Sequence, residues 1–127
     1  MDREKLLELL RSLPFDRGEY RVGGGGAMVL HGLRDRTPDL DLGCSETLAE
    51  RLEAEGIPCR RTEDGKRAFR YGDSVEIFES WGPDCAVILD GFPVVSLDGL
   101  LEMKRALGRE KDLRDIELIL AALGGEA

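Results

Sequence analysis

Four consecutive glycines, Gly23, Gly24, Gly25 and Gly26, are the first residues of this sequence that suggest chemistry. Glycine loses more backbone freedom on folding than any other residue, so such a run indicates a backbone that something must approach closely. The N–H groups of a glycine loop at the start of a helix bind anions, and the helix dipole adds to the attraction. The run therefore predicts a phosphate-binding loop.

Two carboxylates follow the glycines, on Asp39 and Asp41, and they alternate with Leu40 and Leu42. This alternation is typical of a strand with one apolar and one acidic face, so both carboxylates project from the same side. Like charges this close repel each other unless a cation lies between them. Oxygen ligands with open positions suit Mg²⁺ bound together with substrate phosphates. The glycines and the aspartates together predict a site for a metal-chelated triphosphate.

Better-known motifs of this kind are excluded by individual residues. A dinucleotide-binding G-x-G-x-x-G would require glycine where the chain has Met28 or Val29, and no lysine follows the glycines as a P-loop requires. A calcium-binding EF-hand loop beginning at Asp39 would need Asp or Asn where the chain has Gly43.

The composition is typical of a globular protein, with 42% hydrophobic and 35% charged residues, and the length of 127 residues predicts a single domain over residues 1–127. The net charge of −8 disfavours nonspecific nucleic-acid binding through a basic surface. A metal ion held by carboxylates could still bring in phosphates. No apolar run approaches the roughly 20 residues of a membrane span, and the N-terminus lacks a signal-peptide core. We therefore expect a cytoplasmic protein with no membrane contact.

The cysteines, Cys44, Cys59 and Cys85, are too few and too scattered for a disulfide framework or a zinc site. We expect them to be reduced and mostly buried. The single histidine, His31, lies in an apolar segment, and we expect it to pack or to form a surface hydrogen bond.

The elements that must position the glycines and the aspartates follow from periodicity and capping signals. Leucines at helical spacing predict a helix over Asp2–Leu13, and Tyr20–Val22 is a strand candidate that leads into the glycines. A helix is predicted over Ala27–Leu33, with its first turn starting at the glycine loop. Ser45 is a good N-cap for a helix over Glu46–Glu55.

The second half of the chain is predicted to form strands and then helices. The pair Asp90-Gly91 is a strong hairpin signal, and Ser96 caps a helix over Leu97–Leu107. A last helix over Arg109–Leu123 carries one apolar stripe, formed by Leu113, Ile116, Leu120 and Leu123. The strand candidates are Cys59–Thr62, Ala68–Tyr71, Ser74–Phe78, Ala86–Leu89 and Phe92–Val95. The pattern predicts an α/β (α+β) fold with a mixed sheet and two C-terminal helices.

The stretch GGGGAMVLHGLRDRTPDLDL resembles the nucleotidyltransferases of the DNA polymerase β superfamily, whose glycines are followed by acid-apolar-acid on a strand. Glu76, in SVEIF, matches the third acid that this family carries on a neighbouring strand. The tail SLDGLLEMKRALGREKDLRDIELI is similar to the C-terminal block of the abortive-infection and toxin-type branch. In that block a lysine on one helix, here Lys104, precedes an Arg-x-Lys-Asp-x-x-Asp run on the next.

The resemblance implies transfer of a nucleoside monophosphate from an NTP to a hydroxyl, with release of pyrophosphate. Asp39 and Asp41 would bridge two Mg²⁺ (or Mn²⁺) ions, and Glu76 would ligate the ion on the acceptor side and could help to take the hydroxyl proton. The acceptor could be a tRNA 3′ end, a protein hydroxyl or a small molecule.

The resemblance also implies how the NTP phosphates are bound. Gly24, Gly25 and Gly26 would hold them by backbone N–H groups, Lys104 would neutralise their charge, and Asp112 would position Lys104 or the base. A helix-surface network of salt bridges is the alternative interpretation of Lys104 and Asp112.

Two arginines just before the acidic strand, Arg34 and Arg36, could contact nucleotide or could be solvated surface. The chain departs from the family in having Gly26 where many members carry Ser or Thr, in having Glu76 rather than Asp, and in lacking a large helical acceptor domain. Gly26 and the missing acceptor domain favour the alternative function, a module that binds nucleotide or a partner protein without turnover, such as one half of a toxin–antitoxin pair. The intact set of three acids favours the enzyme. We expect a homodimer or a complex with a helical partner protein.

Overall fold

The computed structural model describes residues 1–81 and 86–124, which form a sheet of seven strands and five helices. The strands are ordered β3-β4-β5-β2-β1-β7-β6 across the sheet. In chain order the elements are α1 (Arg3–Ser12), β1 (Tyr20–Gly23), α2 (Gly24–Leu30), β2 (Leu40–Cys44), α3 (Glu46–Ala54), β3 (Cys59–Arg61), β4 (Arg67–Arg70), β5 (Val75–Glu79), β6 (Ala86–Leu89), β7 (Phe92–Val95), α4 (Leu97–Leu107) and α5 (Glu110–Gly124).

The sheet is mixed, as the sequence predicts. β1 pairs antiparallel with β2 and parallel with β7, whereas β2 and β5 run parallel to each other. In this register Asp41 has Gly23 as its partner on one side and Glu76 on the other. The α+β fold class and the two C-terminal helices are confirmed.

The two faces of the central strands differ in polarity because side chains alternate along a strand. Leu40, Leu42 and Val22 point toward the core, where α1 and α2 pack on the sheet and Leu6 of α1 is fully buried. Asp41 and Glu76 therefore project from the opposite face. This second face, which we call the acidic face, carries the candidate site.

Local signals predict most helix ends correctly. The side chain of Asp2 accepts a hydrogen bond from the N–H of Lys5, and those of Ser45 and Ser96 cap α3 and α4 in the same way. Gly108 ends α4 in the left-handed region, with φ of 58°. The hairpin strands Ala86–Leu89 and Phe92–Val95 and the helix Leu97–Leu107 have the predicted bounds.

The helix α2 corrects one prediction, since it spans Gly24–Leu30 rather than Ala27–Leu33. The glycines form its first turn instead of a loop before it. Close packing explains the glycine at position 26, because a Cβ there would lie 3.2 Å from Val22 and 3.3 Å from Leu40. Gly26 thus lets α2 approach the sheet closely.

The apolar stripe predicted on the last helix is largely exposed. Leu113, Leu120 and Leu123 are 58%, 43% and 39% exposed, and Ile116 is partly buried. The face of α5 that turns inward instead carries Asp112, Asp115 and Ile119. Lys104, Arg109 and Arg34 pair with the buried aspartates and compensate for the loss of their hydration.

The expectation for the cysteines is met only in part. Cys44 is buried, but Cys59 is exposed because it lies on the edge strand β3. Cys85 lies outside the described residues. His31 forms a hydrogen bond, with its Nε2 2.8 Å from the carbonyl oxygen of Val95, as expected. Within residues 1–81 and 86–124, no helix is long and apolar enough to cross a membrane.

Candidate active site

A cavity of about 540 Å³ opens on the acidic face, between the start of α2, the end of the loop before β2, and the helices α4 and α5. Its lining combines bare backbone, carboxylates, cations and apolar side chains. The lining residues are Gly24, Gly25, Arg34, Thr37, Pro38, Asp39, Asp41, Phe78, Trp81, Leu100, Met103, Lys104, Leu107, Arg109, Lys111, Asp112 and Asp115.

The glycines place bare backbone directly against an acid. Gly24 has φ of 55°, a conformation that side chains rarely adopt, and a Cβ there would lie 3.1 Å from Oδ2 of Asp41. A Cβ at Gly25 would overlap Thr37 Oγ1 and lie 2.8 Å from Nη1 of Arg34. The absence of side chains at these two positions keeps the cavity open beside Asp41.

The acids of β2 and β5 interact electrostatically. Burial, followed by the charges of Glu76 and Asp39, raises the pKa of Asp41 to about 6. Lys104 and Arg70 act in the opposite direction but do not cancel the rise. The acidic face therefore holds crowded negative charge next to the glycines.

The carboxylate of Glu76 is bound by two arginines. Arg60 Nη2 lies 3.2 Å from Oε2 and Arg70 Nη1 lies 3.6 Å from Oε1. Glu76 lines a neighbouring cavity of about 410 Å³ rather than the one beside Asp41. Among the described residues, no group of three or more His, Cys, Asp or Glu side chains has the geometry of a metal site.

The donor chemistry on the acidic face nevertheless fits a hard divalent cation. Carboxylate oxygens are the ligands that Mg²⁺ prefers, and it is typically held by one or two of them. Burial, together with the charges of Glu76 and Asp39, raises the pKa of Asp41 and so disfavours its ionised form, which a bound cation would stabilise. Asp39 and Asp41 fit this role as they stand, and Glu76 fits it once Arg60 and Arg70 release it.

The opposite wall of the cavity contains a buried ion-pair network. Lys104 Nζ lies 3.0 Å from Asp115 Oδ2 and 3.5 Å from Asp112 Oδ1. Arg109 Nε donates to Asp112 Oδ2 at 2.7 Å, and Arg34 Nη2 donates to both oxygens of Asp115 at 2.6 and 2.5 Å. The hydrogen bond from Arg109 lowers the pKa of Asp112. Burial opposes the same effect at Asp115, yet the hydrogen bonds from Arg34 and Lys104 lower its pKa.

Lys104 and Asp112 have features of both interpretations. They form an ion-pair network, but it is buried between α4 and α5 rather than solvated on a helix surface. They also line the cavity together with Asp39 and Asp41.

Of the remaining predicted residues, Gly26 and Arg36 lie outside the cavity and Arg34 lines it. Gly26 is buried against Val22 and Leu40 and does not line the cavity. Arg36 is exposed, and its backbone pairs with Asp2 at the start of α1. Arg34 belongs to the cavity through its pair with Asp115.

Trp81 is one of several cavity residues that the sequence did not single out. Trp81 lies over the sheet where a Cβ at Gly23 would be 2.6 Å from its ring, and its ring centroid is 5.1 Å from that of Phe78. The signal in the sequence was weak: a lone tryptophan just after the candidate third acid. Only the register shows that Gly23 and Gly43 make room for it.

Comparison with known proteins finds similarity at the level of structure. No protein-family model matches the chain, and no curated protein shows significant sequence similarity to it. The chain superimposes on the crystal structure of a proposed nucleotidyltransferase from Thermotoga maritima with a TM-score of 0.65 and 19% identity, covering 96% of each chain. It superimposes on ANT(2")-Ia, crystallised in complex with adenylyl-2"-tobramycin, with a TM-score of 0.54 and 20% identity, covering 97% of this chain and 88% of that one.

These similarities define the class of fold. The mixed seven-stranded sheet with its two C-terminal helices is the nucleotidyltransferase fold. At 19% and 20% identity the similarity concerns the fold alone.

Proposed function

We propose that this protein is a nucleotidyltransferase that moves a nucleoside monophosphate from an NTP to a hydroxyl acceptor and depends on Mg²⁺ or Mn²⁺. The observation that carries the proposal is the contact between Gly24 and Asp41 in one cavity. A Cβ at Gly24 would lie 3.1 Å from Oδ2 of Asp41. The bare backbone would bind the phosphates of a metal-chelated triphosphate, and the carboxylate would bind its metal.

The walls of the cavity suit the parts of an NTP. The backbone at Gly24 and Gly25 would contact the phosphates, and Lys104, which lines the same cavity, would help to balance their charge. Arg109 and Lys111 add positive charge at the same wall. An apolar wall remains for the base, formed by Phe78, Trp81, Leu100, Met103 and Leu107.

The carboxylates would hold the metal and receive the proton. Asp39, Asp41 and Glu76 would be the ligands, and the bound ions would supply electrostatic stabilisation of the attacking and leaving oxygens. In the transfer, the acceptor oxygen bonds to the α-phosphorus and the bond from that phosphorus to the leaving pyrophosphate breaks. Glu76, on the side away from Lys104, would take the hydroxyl proton.

A second candidate function is binding of a nucleotide or a partner protein without turnover, as one half of a toxin–antitoxin pair. It is favoured by the pairing of Glu76 with Arg60 and Arg70, which keeps the third carboxylate away from Asp41. In this case the cavity would bind NTP but no label would reach an acceptor.

The test is transfer of label from each α-labelled NTP, with Mg²⁺ or Mn²⁺, to panels of tRNA, proteins and hydroxyl-bearing small molecules. We expect label on one class of acceptor, abolished by Asp41→Asn and unchanged by Asp35→Asn. Asp35 is the matched control because it is an exposed aspartate outside the cavity. NTP binding without transfer would support the second candidate, and transfer that survives Asp41→Asn would overturn the proposed role of Asp41.

A further inference from the structure

Two exposed arginines converge on the acid at the edge of the candidate site. The side chains of Arg60 and Arg70 are 60% and 49% exposed, yet both reach the carboxylate of Glu76. Exposed ion pairs of this kind contribute only about 0–1 kcal/mol, so they exchange partners easily. Nη2 of Arg70 also donates to the carbonyl oxygen of Asp73 at 2.7 Å, so the pairing leaves the Arg60 guanidinium and Nη1 of Arg70 available to another anion.

The register places these arginines beside the reacting centre. Arg70, Glu76 and Asp41 are cross-strand neighbours on β4, β5 and β2, and Arg60 lies one strand further out on β3. The cavity of about 410 Å³ next to Glu76 is lined by both arginines together with Pro58, Cys59 and Ala68. It lies on the opposite side of the Asp41–Glu76 pair from the cavity that contains Lys104.

We propose that Arg60 and Arg70 form the binding site for an oxyanion group of the acceptor, a phosphate or a carboxylate, which the carboxylate of Glu76 occupies in the free protein. The inference rests on the proposed function, because it assigns the side of Glu76 away from the NTP cavity to the acceptor. Guanidinium groups bind both oxyanions through paired, charge-assisted hydrogen bonds.

Loss of its arginine partners changes what Glu76 can contact. An incoming oxyanion that takes Arg60 and Arg70 frees Glu76 to join Asp41, so binding of an acceptor raises the fraction of the protein in which the third carboxylate is available. A polycationic acceptor would meet the arginines with like charge and is disfavoured by the same site. The acceptor is accordingly an anionic hydroxyl compound.

The first experiment needs no NTP and so is independent of turnover. Inorganic phosphate, and acetate in a parallel series, is titrated into the protein while the Nε–H signals of Arg60 and Arg70 are followed by NMR. We expect saturable shifts of both signals. The Arg70 signal should report affinity weakened about tenfold in Arg60→Gln, the effect of one lost charge-assisted hydrogen bond.

The matched control is Arg61→Gln, which removes the same charge from the neighbouring residue on β3. Arg61 points to the other face, where it lies 3.8 Å from Glu53 of α3. We expect phosphate affinity to be unchanged in this variant. Melting temperatures of both variants check that neither substitution disturbs the fold.

The decisive variant is Glu76→Gln, which removes the internal competitor. Phosphate affinity at the arginines should rise about two- to fivefold, corresponding to the loss of one exposed ion pair. If the arginines only neutralise Glu76, phosphate will not shift their Nε–H signals in the unmodified protein or in Glu76→Gln. That result would overturn the proposal. Shifts that are equally large in Arg60→Gln would do the same.

A second experiment compares acceptors in the label-transfer assay, namely matched hydroxyl compounds with and without a phosphate group. We expect Arg60→Gln to raise KM for the phosphorylated compound while leaving the affinity for NTP unchanged. Failure of the proposed function would appear as absence of transfer with every compound, while the phosphate titration would still decide on the arginine site.

Discussion

Asp41 and Glu76 are neighbours in register on the parallel strands β2 and β5, and burial of Asp41 together with the charge of Glu76 raises the pKa of Asp41 to about 6. The fold thus holds an acid in an environment that disfavours its ionised form. Perturbed pKa values of this kind are concentrated at functional sites, and a bound cation would relieve the perturbation. The burial and crowding of Asp41 should therefore lower the stability of the metal-free protein and also favour the binding of a cation.

The first prediction concerns the stability of the metal-free protein. A carboxyl whose pKa is raised on folding binds more protons in the folded state, so the free energy of unfolding falls as pH rises from about 4 to about 6. Asp41→Asn should remove this loss and stabilise the protein at pH 7 by about 1–2 kcal/mol, after allowance for solvent screening. Urea unfolding in EDTA measures the effect.

The control for this prediction is Asp35→Asn, an exposed aspartate, which should change the free energy of unfolding by less than about 0.5 kcal/mol. If Asp41→Asn is no more stable than the unmodified protein at pH 7, the acids are not crowded in the way that the structure shows.

The second prediction concerns metal and nucleotide together. A ligand that binds only the folded state stabilises it by about 2.7 kcal/mol at a hundredfold excess over its Kd. Mn²⁺ with a non-hydrolysable NTP should raise the melting temperature, and Asp41→Asn should abolish the rise. An equal rise in Asp41→Asn would separate metal binding from this carboxylate.

The third prediction concerns Gly25, where a Cβ would overlap Thr37 and Arg34. Gly25→Ala should weaken NTP binding and lower the free energy of unfolding by about 1–3 kcal/mol, the usual cost of overpacking. Trp81 is the single tryptophan and lines the same cavity, so its fluorescence should report NTP binding directly.

Gly18→Ala is the matched control, because a Cβ there would meet nothing within 4 Å. Its NTP affinity should equal that of the unmodified protein. A Gly25→Ala variant that is destabilised but binds NTP normally would limit Gly25 to a packing role.

The fourth prediction concerns the buried pair of Asp112 and Lys104. The pKa of Asp112 is lowered on folding, mainly by its hydrogen bond with Arg109, so its contribution to stability is present above pH 4 and is lost as pH falls below that value. Asp112→Asn leaves Lys104 with one buried partner fewer and should cost about 3 kcal/mol at pH 7. Its unfolding free energy should depend less on pH in acid than that of the unmodified protein.

Glu110→Gln serves as the control for Asp112→Asn, because Glu110 is an exposed acid in the first turn of the same helix. It should leave the acid limb of the stability profile unchanged. A profile of Asp112→Asn that keeps its full steepness below pH 4 would contradict the lowered pKa.

Much of the fold follows from the sequence because its signals are local. Caps at Ser45 and Ser96, the hairpin signal at Asp90-Gly91 and the left-handed Gly108 each act within a few residues. Alternation of Asp39–Leu42 determines that acids and leucines leave the strand on opposite sides. The acidic face could therefore be predicted before any strand was paired with another.

Tertiary structure decided the features that depend on a choice between faces and partners. Periodicity indicates an apolar stripe on α5, but the cations Lys104, Arg109 and Arg34 draw Asp112 and Asp115 inward instead. Sequence spacing cannot show that Arg60 and Arg70 reach Glu76, because the three residues come from different strands. A side chain's type and spacing determine what it can bind, whereas only the packed sheet determines which partner is close enough to bind.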